Sequence, residues 1–395
     1  MSTTALPRSA GREGAAPAHD LPPEAAPGRV AALTMGVEEE FLLVDRRSRA
    51  PVGRGPRVIE AAARTLGPLV QPEFFTAQVE VCTSPTANPA ELRAELARLR
   101  AELILAAAAE DCLLLASGTP VVPPEHPLTV TRDERYRRMA SHFASAIGNF
   151  DQAVCGCHIH IGVSGRAQAL DLANRMRPWL PSLQALAANS PFDRGRDSGH
   201  DSWRAVEYAR WPTVGPAPVL DEAAYERCAD ELVRSGVVLD RRMIYWYARP
   251  SEHVPTLEVR VADVNAGLDT VVLLALLVRG LAATLGAEAA GGGPAPAPGS
   301  ALLREAHRRA AVHGLDGEGL DPLSGVSLPA WTLVARLRER AAPGLASSGD
   351  LELVDTLLDR VRAEGNGATR QRAVYRRHGR LSEVVDHLAE TVARA

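Results

Sequence analysis

The sequence predicts an α+β fold whose strands carry the chemistry, and three observations predict it. Strand-like and helix-like segments both occur, but they do not alternate regularly, which argues against a doubly wound parallel sheet. Four of the strand-like segments have one aliphatic face and one face of carboxylate, imidazole or guanidinium groups. With 395 residues, 46% of them hydrophobic and 23% charged, the chain can bury a substantial core.

Taken in order, residues 1–29 are rich in Ala, Pro and Gly without periodicity and read as a disordered tail, with order expected from Val30. Residues 30–395 read as a single catalytic domain. Asn88-Pro89 has the form of a helix N-cap followed by Pro at the first helical position, opening a helix through Asp111. Cys112–Ala116 follows as a short apolar strand. Thr131 and Glu134 have capping-box spacing, with Tyr136, Met139, Phe143 and Ile147 on one helical face. Further helices are expected at 166–188, 221–235, 268–286, 302–312 and 350–364. The stretch 286–300 (GAEAAGGGPAPAPGS) reads as a flexible surface loop.

Composition excludes several functions. The net charge of −4 gives no electrostatic reason to expect nucleic acid or a membrane surface as partner. The apolar run Val271–Leu285 is shorter than the roughly 20 residues of a membrane span and is interrupted by Arg279 and Gly280, so it reads as a buried helix. No apolar leader segment is seen, and five scattered cysteines suit a reducing cytoplasm better than a disulfide framework. All 44 basic residues are Arg, since the chain has no lysine. A phosphate loop ending in Gly-Lys and a lysine Schiff base are therefore excluded, so phosphate must be held by Arg, backbone amides or metal ions.

Alternation along a strand sends successive side chains to opposite faces. In 36–42 this groups Glu38 with Glu40, leaving Val37, Glu39 and Phe41 behind. In 77–82 it groups Gln78 with Glu80. In 155–162 it groups His158 with His160, and in 256–261 Glu258 with Arg260. One such strand would suit a merely wetted sheet. Four together supply carboxylates and a neutral imidazole for a hard divalent cation, with Arg260 beside them for a phosphoryl group or carboxylate. Cys155 and Cys157 alternate against the two histidines, so the four cannot converge on one zinc ion. The thiols read instead as small buried hydrophobes.

Seven motifs in register then resemble one family: GVEEEFLLVD (36–45), QVEVCTSP (78–85), CGCHIHIGV (155–163), ANSPF with GRDSG (188–199), WPTVGPAP (211–218), WYARPSEHVPTLEVRVADV (246–264) and GNGATRQR (365–372). They are similar to the bacterial carboxylate–amine ligases of the type 2 glutamate–cysteine ligase kind, from about residue 34 to the C-terminus. The resemblance implies a glutamine synthetase/guanidino kinase-like fold, a curved antiparallel sheet with helices on its outer face. It implies an ATP-dependent ligase that makes an amide through an acyl phosphate, with Mg²⁺ or Mn²⁺ as cofactor. The expected substrates are L-glutamate and L-cysteine, and the alternatives are another acid and amine or a guanidino kinase-like phosphotransferase.

Carried over by position, Glu38, Glu40, Glu80, His158 and Glu258 become metal ligands, with His160 a weaker candidate, and Glu258 and Arg260 the catalytic pair. Arg204, Trp246, Arg249, Asn366, Arg370 and Arg372 lie in motifs expected to face substrate or nucleotide. The implied partners are small-molecule carboxylates and amines in the cytoplasm; the sequence leaves a homo-oligomer open. Cys157 stands where the family usually has Thr, Asp193 where it has Trp, and His200-Asp201 where it has small or apolar residues. The last two departures fall in the region expected to choose the substrate.

Overall fold

Seven strands form one sheet in which every pairing is antiparallel. They are β1 (Met35–Asp45), β2 (Val70–Pro72), β3 (Gln78–Cys82), β4 (Cys112–Leu115), β5 (Gly156–Gly162), β8 (Ala248–Pro250) and β9 (Thr256–Asp263). The order is β2-β3-β1-β5-β9-β8, with β4 also paired to the far end of β1. Two-residue strands β6 (Phe192–Asp193) and β7 (Arg196–Asp197) make a small hairpin, and β10 (Glu318–Leu320) and β11 (Ser327–Pro329) another. This computed structural model describes residues 33–148 and 151–394, and these cluster as one compact unit. The expected tail and the start of order at Val30 lie outside the described residues.

Helices cover the back of the sheet. Val37, Cys157, Ile159, Ile161, Leu257, Val259 and Val261 pack there with residues of the helices Pro89–Ala109, Arg166–Met176, Leu180–Ala187 and Leu268–Ala290. The last of these is long and apolar enough to cross a membrane by length and composition, but it is the core helix, buried along most of its length. Its Arg279 is accommodated by Asp350 and the Ala87 carbonyl. Glu39, on the aliphatic face of β1, is fully buried and meets Arg100 of the helix behind it.

Several element boundaries differ from the sequence reading, each for a local reason. The helix expected at 166–188 breaks after Met176, because Pro178 and Pro181 each lack an amide donor; the second piece starts at Leu180 with Pro181 in its first turn. Asp133, not Thr131, caps the helix Glu134–His142, accepting from the amides of Arg135 and Tyr136. Thr131 instead donates to the carbonyl of Glu73. The helix ends before Phe143, a short turn of helix covers Ala144–Ile147, and the Ile147 side chain lies outside what is described. The core helix continues past Gly286 to Ala290, because Ala and Glu after that glycine are good helix formers, so the loop shortens to 291–299. Asn88 caps its helix as read, through the amide of Ala90 at 2.9 Å.

Candidate active site

The front of the sheet gathers the polar residues. Register sets Glu40 opposite Glu80 across β1 and β3, Glu38 opposite His158 across β1 and β5, and His160 opposite Glu258 across β5 and β9. Directly opposed residues of antiparallel strands share a face. The four polar faces therefore merge into one. Donor atoms of Glu38, His158 and Glu258 lie within 4.8 Å of one another, as do those of Glu40, Glu80 and His158. A third such group, Glu38, Glu80 and Cys82, adds a thiol that shares Glu80's face.

Each ionisable group here answers to its neighbours. Burial opposes ionisation of Glu38, but His160 and His158 outweigh it and hold the carboxyl well below the usual range. At Glu80 the one lowering influence, the Arg260 charge, is outweighed. Burial first, and then the charges of Glu38, Glu73 and Glu40, push its carboxyl well above the usual range. Among the described residues it has no hydrogen-bond partner. Burial and the Arg260 charge lower His158, which keeps its imidazole neutral. Its Nδ1 lies 3.1 Å from Glu38, while its buried Nε2 has no hydrogen-bond partner and lies 3.7 Å from Glu40. Burial also works against the charge of His160, but Glu38 reverses the balance and raises it. Its Nδ1 is 2.8 Å from the Thr256 hydroxyl.

Arginines frame the edge of this cluster. Burial disfavours ionised Glu258, yet Arg249 and Arg260 pull its carboxyl far down. Arg249 places Nε 2.8 Å and one terminal nitrogen 3.4 Å from Glu258, and its other terminal nitrogen donates to the carbonyls of Arg242 and Ile244. Arg260 pairs with the other oxygen of Glu258 and donates to the Tyr208 hydroxyl, at 3.2 Å from its terminal nitrogen. Against burial, Glu258 holds Arg260 protonated.

Arg204 differs from both. It is 3% exposed and lines a pocket with Glu40, His158, Tyr208 and Arg260. Among the described residues its Nε has no partner, its nearest carboxylate oxygen is 3.9 Å away on Asp263, and its single side-chain donation is a 3.4 Å contact to the Arg260 carbonyl. The guanidinium lies over the Tyr208 ring at 5.0 Å.

The other expected substrate residues lie elsewhere. Trp246 packs in a separate apolar cluster with Leu170, Tyr225 and Ile244. Asn366 caps the helix Gly367–His378 and reaches Asp201 and the Ala185 carbonyl. Arg370 donates to the Gly365 carbonyl at 2.7 Å. Arg372 holds Asp197, Asp201 and the His200 carbonyl. Together Asn366 and Arg372 pin the loop 197–201 to the C-terminal helices.

The pocket also contains residues that alternation could not nominate. Glu73 follows the edge strand β2 in no periodic pattern; burial and the Glu40 charge raise its carboxyl to about 7, and the Tyr136 hydroxyl donates to it at 2.9 Å. Tyr208 lies one helical turn from Arg204, an i,i+4 spacing legible in the sequence. Phe74, Phe75, Trp211 and Tyr245 supply aromatic walls. Asp263 reaches the site through a β-bulge. Cys157 pairs with Ala262 but Ile159 with Val259, so β9 spends one extra residue there. Asp263 then lies opposite Gly156 and shares its face. Cys157 is buried behind the sheet, whereas Cys155, just before β5, meets the Gln78 amide. Burial raises both thiols.

Comparison with known proteins gives the family and the fold. Residues 34–387 match the family described as glutamate–cysteine ligase family 2 (GCS2). A provisionally named glutamate–cysteine ligase 2 from Salinispora arenicola is 43% identical over 91% of the chain and 95% of its own length. One from Saccharopolyspora erythraea is 45% identical over the same shares. The crystal structure of glutamate–cysteine ligase from Francisella tularensis in complex with AMP aligns with a TM-score of 0.68 at 13% identity, covering 93% of this chain and 90% of that one. A bifunctional glutathione synthetase from Pasteurella multocida aligns at 0.66 and 15% identity, over 92% of this chain and 52% of that one. Those two likenesses bear on the fold.

Proposed function

This chain belongs to glutamate–cysteine ligase family 2 and is an ATP-dependent ligase, and on that premise we propose that it joins the side-chain carboxylate of L-glutamate to L-cysteine through an acyl phosphate. The observation that carries the reading is Arg204. A buried guanidinium without a close anion costs several kcal/mol, and this one lines the pocket beside the carboxylate cluster. In a chain without lysine it is the natural receptor for a substrate carboxylate. Arg249, with its donors committed to Glu258 and two carbonyls, serves instead to hold Glu258.

Glu38, Glu40, Glu80, His158 and Glu258 would hold Mg²⁺ or Mn²⁺. The donor set is right for a hard cation, and the repulsion on Glu80 and the orphaned His158 Nε2 are what such an ion would relieve. Bound there, the ion supplies charge neutralisation for the phosphates of ATP. Phosphoryl transfer asks the protein for positioning and charge, not covalent participation. Arg260, fixed between Glu258 and Tyr208, offers that charge at the edge of the cluster. The acid's carboxylate takes the γ-phosphoryl group, and the amine then displaces phosphate. Glu73, whose carboxyl exchanges its proton near neutrality, lines the same pocket and can take the proton of the incoming ammonium. The substrates are small molecules, and the reading places the enzyme in the cytoplasm.

A second reading keeps the chemistry and changes the acid or the amine. It rests on Asp193, which stands where the family usually has Trp. Asp193 is buried and accepts from the Gln152 amide at 2.6 Å, and Gln152 lines the pocket. His200 and Asp201 have no such route to the pocket, being tied to Arg372 and Asn366.

Phosphate release from Mg-ATP, screened over acids and amines with products identified by mass, decides between the readings. The expected product is γ-glutamylcysteine with ADP and phosphate. Turnover with another pair, and none with glutamate and cysteine, replaces the first reading by the second. A stable phosphorylated acceptor without phosphate release would make the protein a phosphotransferase.

A further inference from the structure

We propose that Asp263 is a positioning residue for acid binding, holding Arg204 in place from 3.9 Å away while leaving the guanidinium free for the incoming carboxylate. The inference rests on the reading of Arg204 as the carboxylate receptor and deepens it. Three independent features of the fold converge on this pair.

The first is the bulge in β9. Alternation from Glu258 and Arg260 would place Ala262 on the front and Asp263 among the aliphatics behind. The extra residue between Val259 and Ala262 reverses that, and Asp263 comes forward. The second is how the carboxylate is held. It is 1% exposed; one oxygen accepts from the Asn189 amide at 2.8 Å and the Ser190 hydroxyl at 2.6 Å, and the other from the Ser202 hydroxyl at 2.8 Å. Ser190 Oγ in turn accepts from the Arg204 amide at 3.0 Å, and Ser202 caps the short helix that carries Arg204. Both ends of Arg204 are thereby referred to one carboxylate.

The third feature is space. A Cβ on Gly156 would fall 2.4 Å from the Arg204 guanidinium, and a Cβ on Gly118 would fall 2.8 Å from the Asp263 carboxyl carbon. At these two points of closest approach the backbone carries no side chain, so neither partner is displaced. Neutral donors saturate most of Asp263, and its remaining charge acts across 3.9 Å. A carboxylate in direct contact would occupy the fork that a substrate needs; one held back supplies countercharge without competing.

The test measures kcat and the KM for L-glutamate, L-cysteine and ATP in wild type, Asp263→Asn, Arg204→Gln and the double variant. If the screen identifies another acid, that acid replaces glutamate. Asp263→Asn is expected to raise the KM for the acid by about tenfold or more, leaving the KM for ATP within about twofold and kcat within about fivefold. Because Asp263 acts through Arg204, the double variant is expected to be no worse than Arg204→Gln alone. An acid KM within about threefold of wild type, a common shift in all three KM values, or effects that multiply in the double variant would each overturn the inference. An unchanged acid KM in Arg204→Gln would instead fell the underlying reading. Should Asp263→Asn fail to fold, Ser190→Ala, which cuts the link from Asp263 to the Arg204 amide, is expected to give the same selective rise in smaller measure. An unchanged acid KM there would overturn the inference equally.

Discussion

Arg100 and Arg204 are buried to almost the same degree, 1% and 3% exposed, on opposite faces of one sheet. Arg100 gives Nε and one terminal nitrogen to the two oxygens of Glu39, the same terminal nitrogen to the Asn265 carbonyl, and its other terminal nitrogen to the Ala266 carbonyl. Each of its three nitrogens has a partner. Arg204 has an unpartnered Nε, a carboxylate 3.9 Å off and one long contact to a carbonyl. Burying a guanidinium costs several kcal/mol unless partners replace water. The back of the sheet meets that cost within the protein, and the front leaves it for a ligand to meet. Burial therefore does not separate a structural charge from a functional one here; satisfaction does.

The largest expected effect probes the unsatisfied side. Among the described residues the Glu80 carboxyl has no hydrogen-bond partner, and burial, then the charges of Glu38, Glu73 and Glu40, raise it. An acid whose folded pKa is raised contributes stability below its unfolded value and loses it as pH rises through the folded value. At neutral pH the protein without metal is thus strained by Glu80. Glu80→Gln is expected to lower turnover by at least about a hundredfold while leaving the metal-free melting temperature unchanged or a few degrees higher. Turnover within a few-fold of wild type would remove Glu80 from the metal site. Glu258 would be a poorer probe, because its loss strands two buried arginines at once.

The satisfied side is expected to respond in stability and not in chemistry. Arg100→Ala leaves Glu39 buried without a partner and is expected to cost about 3–5 kcal/mol. The remaining folded fraction should keep its acid and ATP KM values. Urea unfolding read beside KM at low temperature checks both halves, and a selective rise in one KM would mean that the back-face pair reaches the site.

This contrast also marks what the sequence could disclose. Period-two alternation brought Glu38, Glu40, Glu80, His158 and Glu258 to one face, because the strands that carry them are regular and their partners lie in register. The helix at 89–109 was legible through its Asn-Pro cap. Alternation could not see the bulge that turns Asp263 forward, since a bulge is a property of two paired strands. Nor could it rank arginines. Arg249, Arg372 and Arg204 look alike in the motifs, and only their distances separate two committed donors from one that is free. Glu73 and Tyr136 meet across a loop–helix contact that no local pattern records.

The smallest expected effect sharpens the comparison by asking whether every unsatisfied buried polar group awaits a ligand. His307 is buried, its Nδ1 lies 2.6 Å from Gln184 Oε1, its Nε2 has no partner, and its ring lies 4.4 Å from that of Tyr247. Unlike Arg204, an imidazole can avoid the cost of burial by staying neutral, and burial pushes its pKa down to about 3 from an ordinary 6.5. Between those values the unfolded chain binds a proton that the folded protein does not, so stability falls as pH drops through 6.5 and keeps falling until about 3. The loss attributable to His307 between pH 7 and pH 5 is about 2 kcal/mol. His307→Gln should remove that part of the acid dependence in urea unfolding and leave turnover at neutral pH within about twofold. If the variant loses stability on acidification as steeply as wild type, His307 is already protonated in the fold, and neutrality is not what lets this orphaned nitrogen persist.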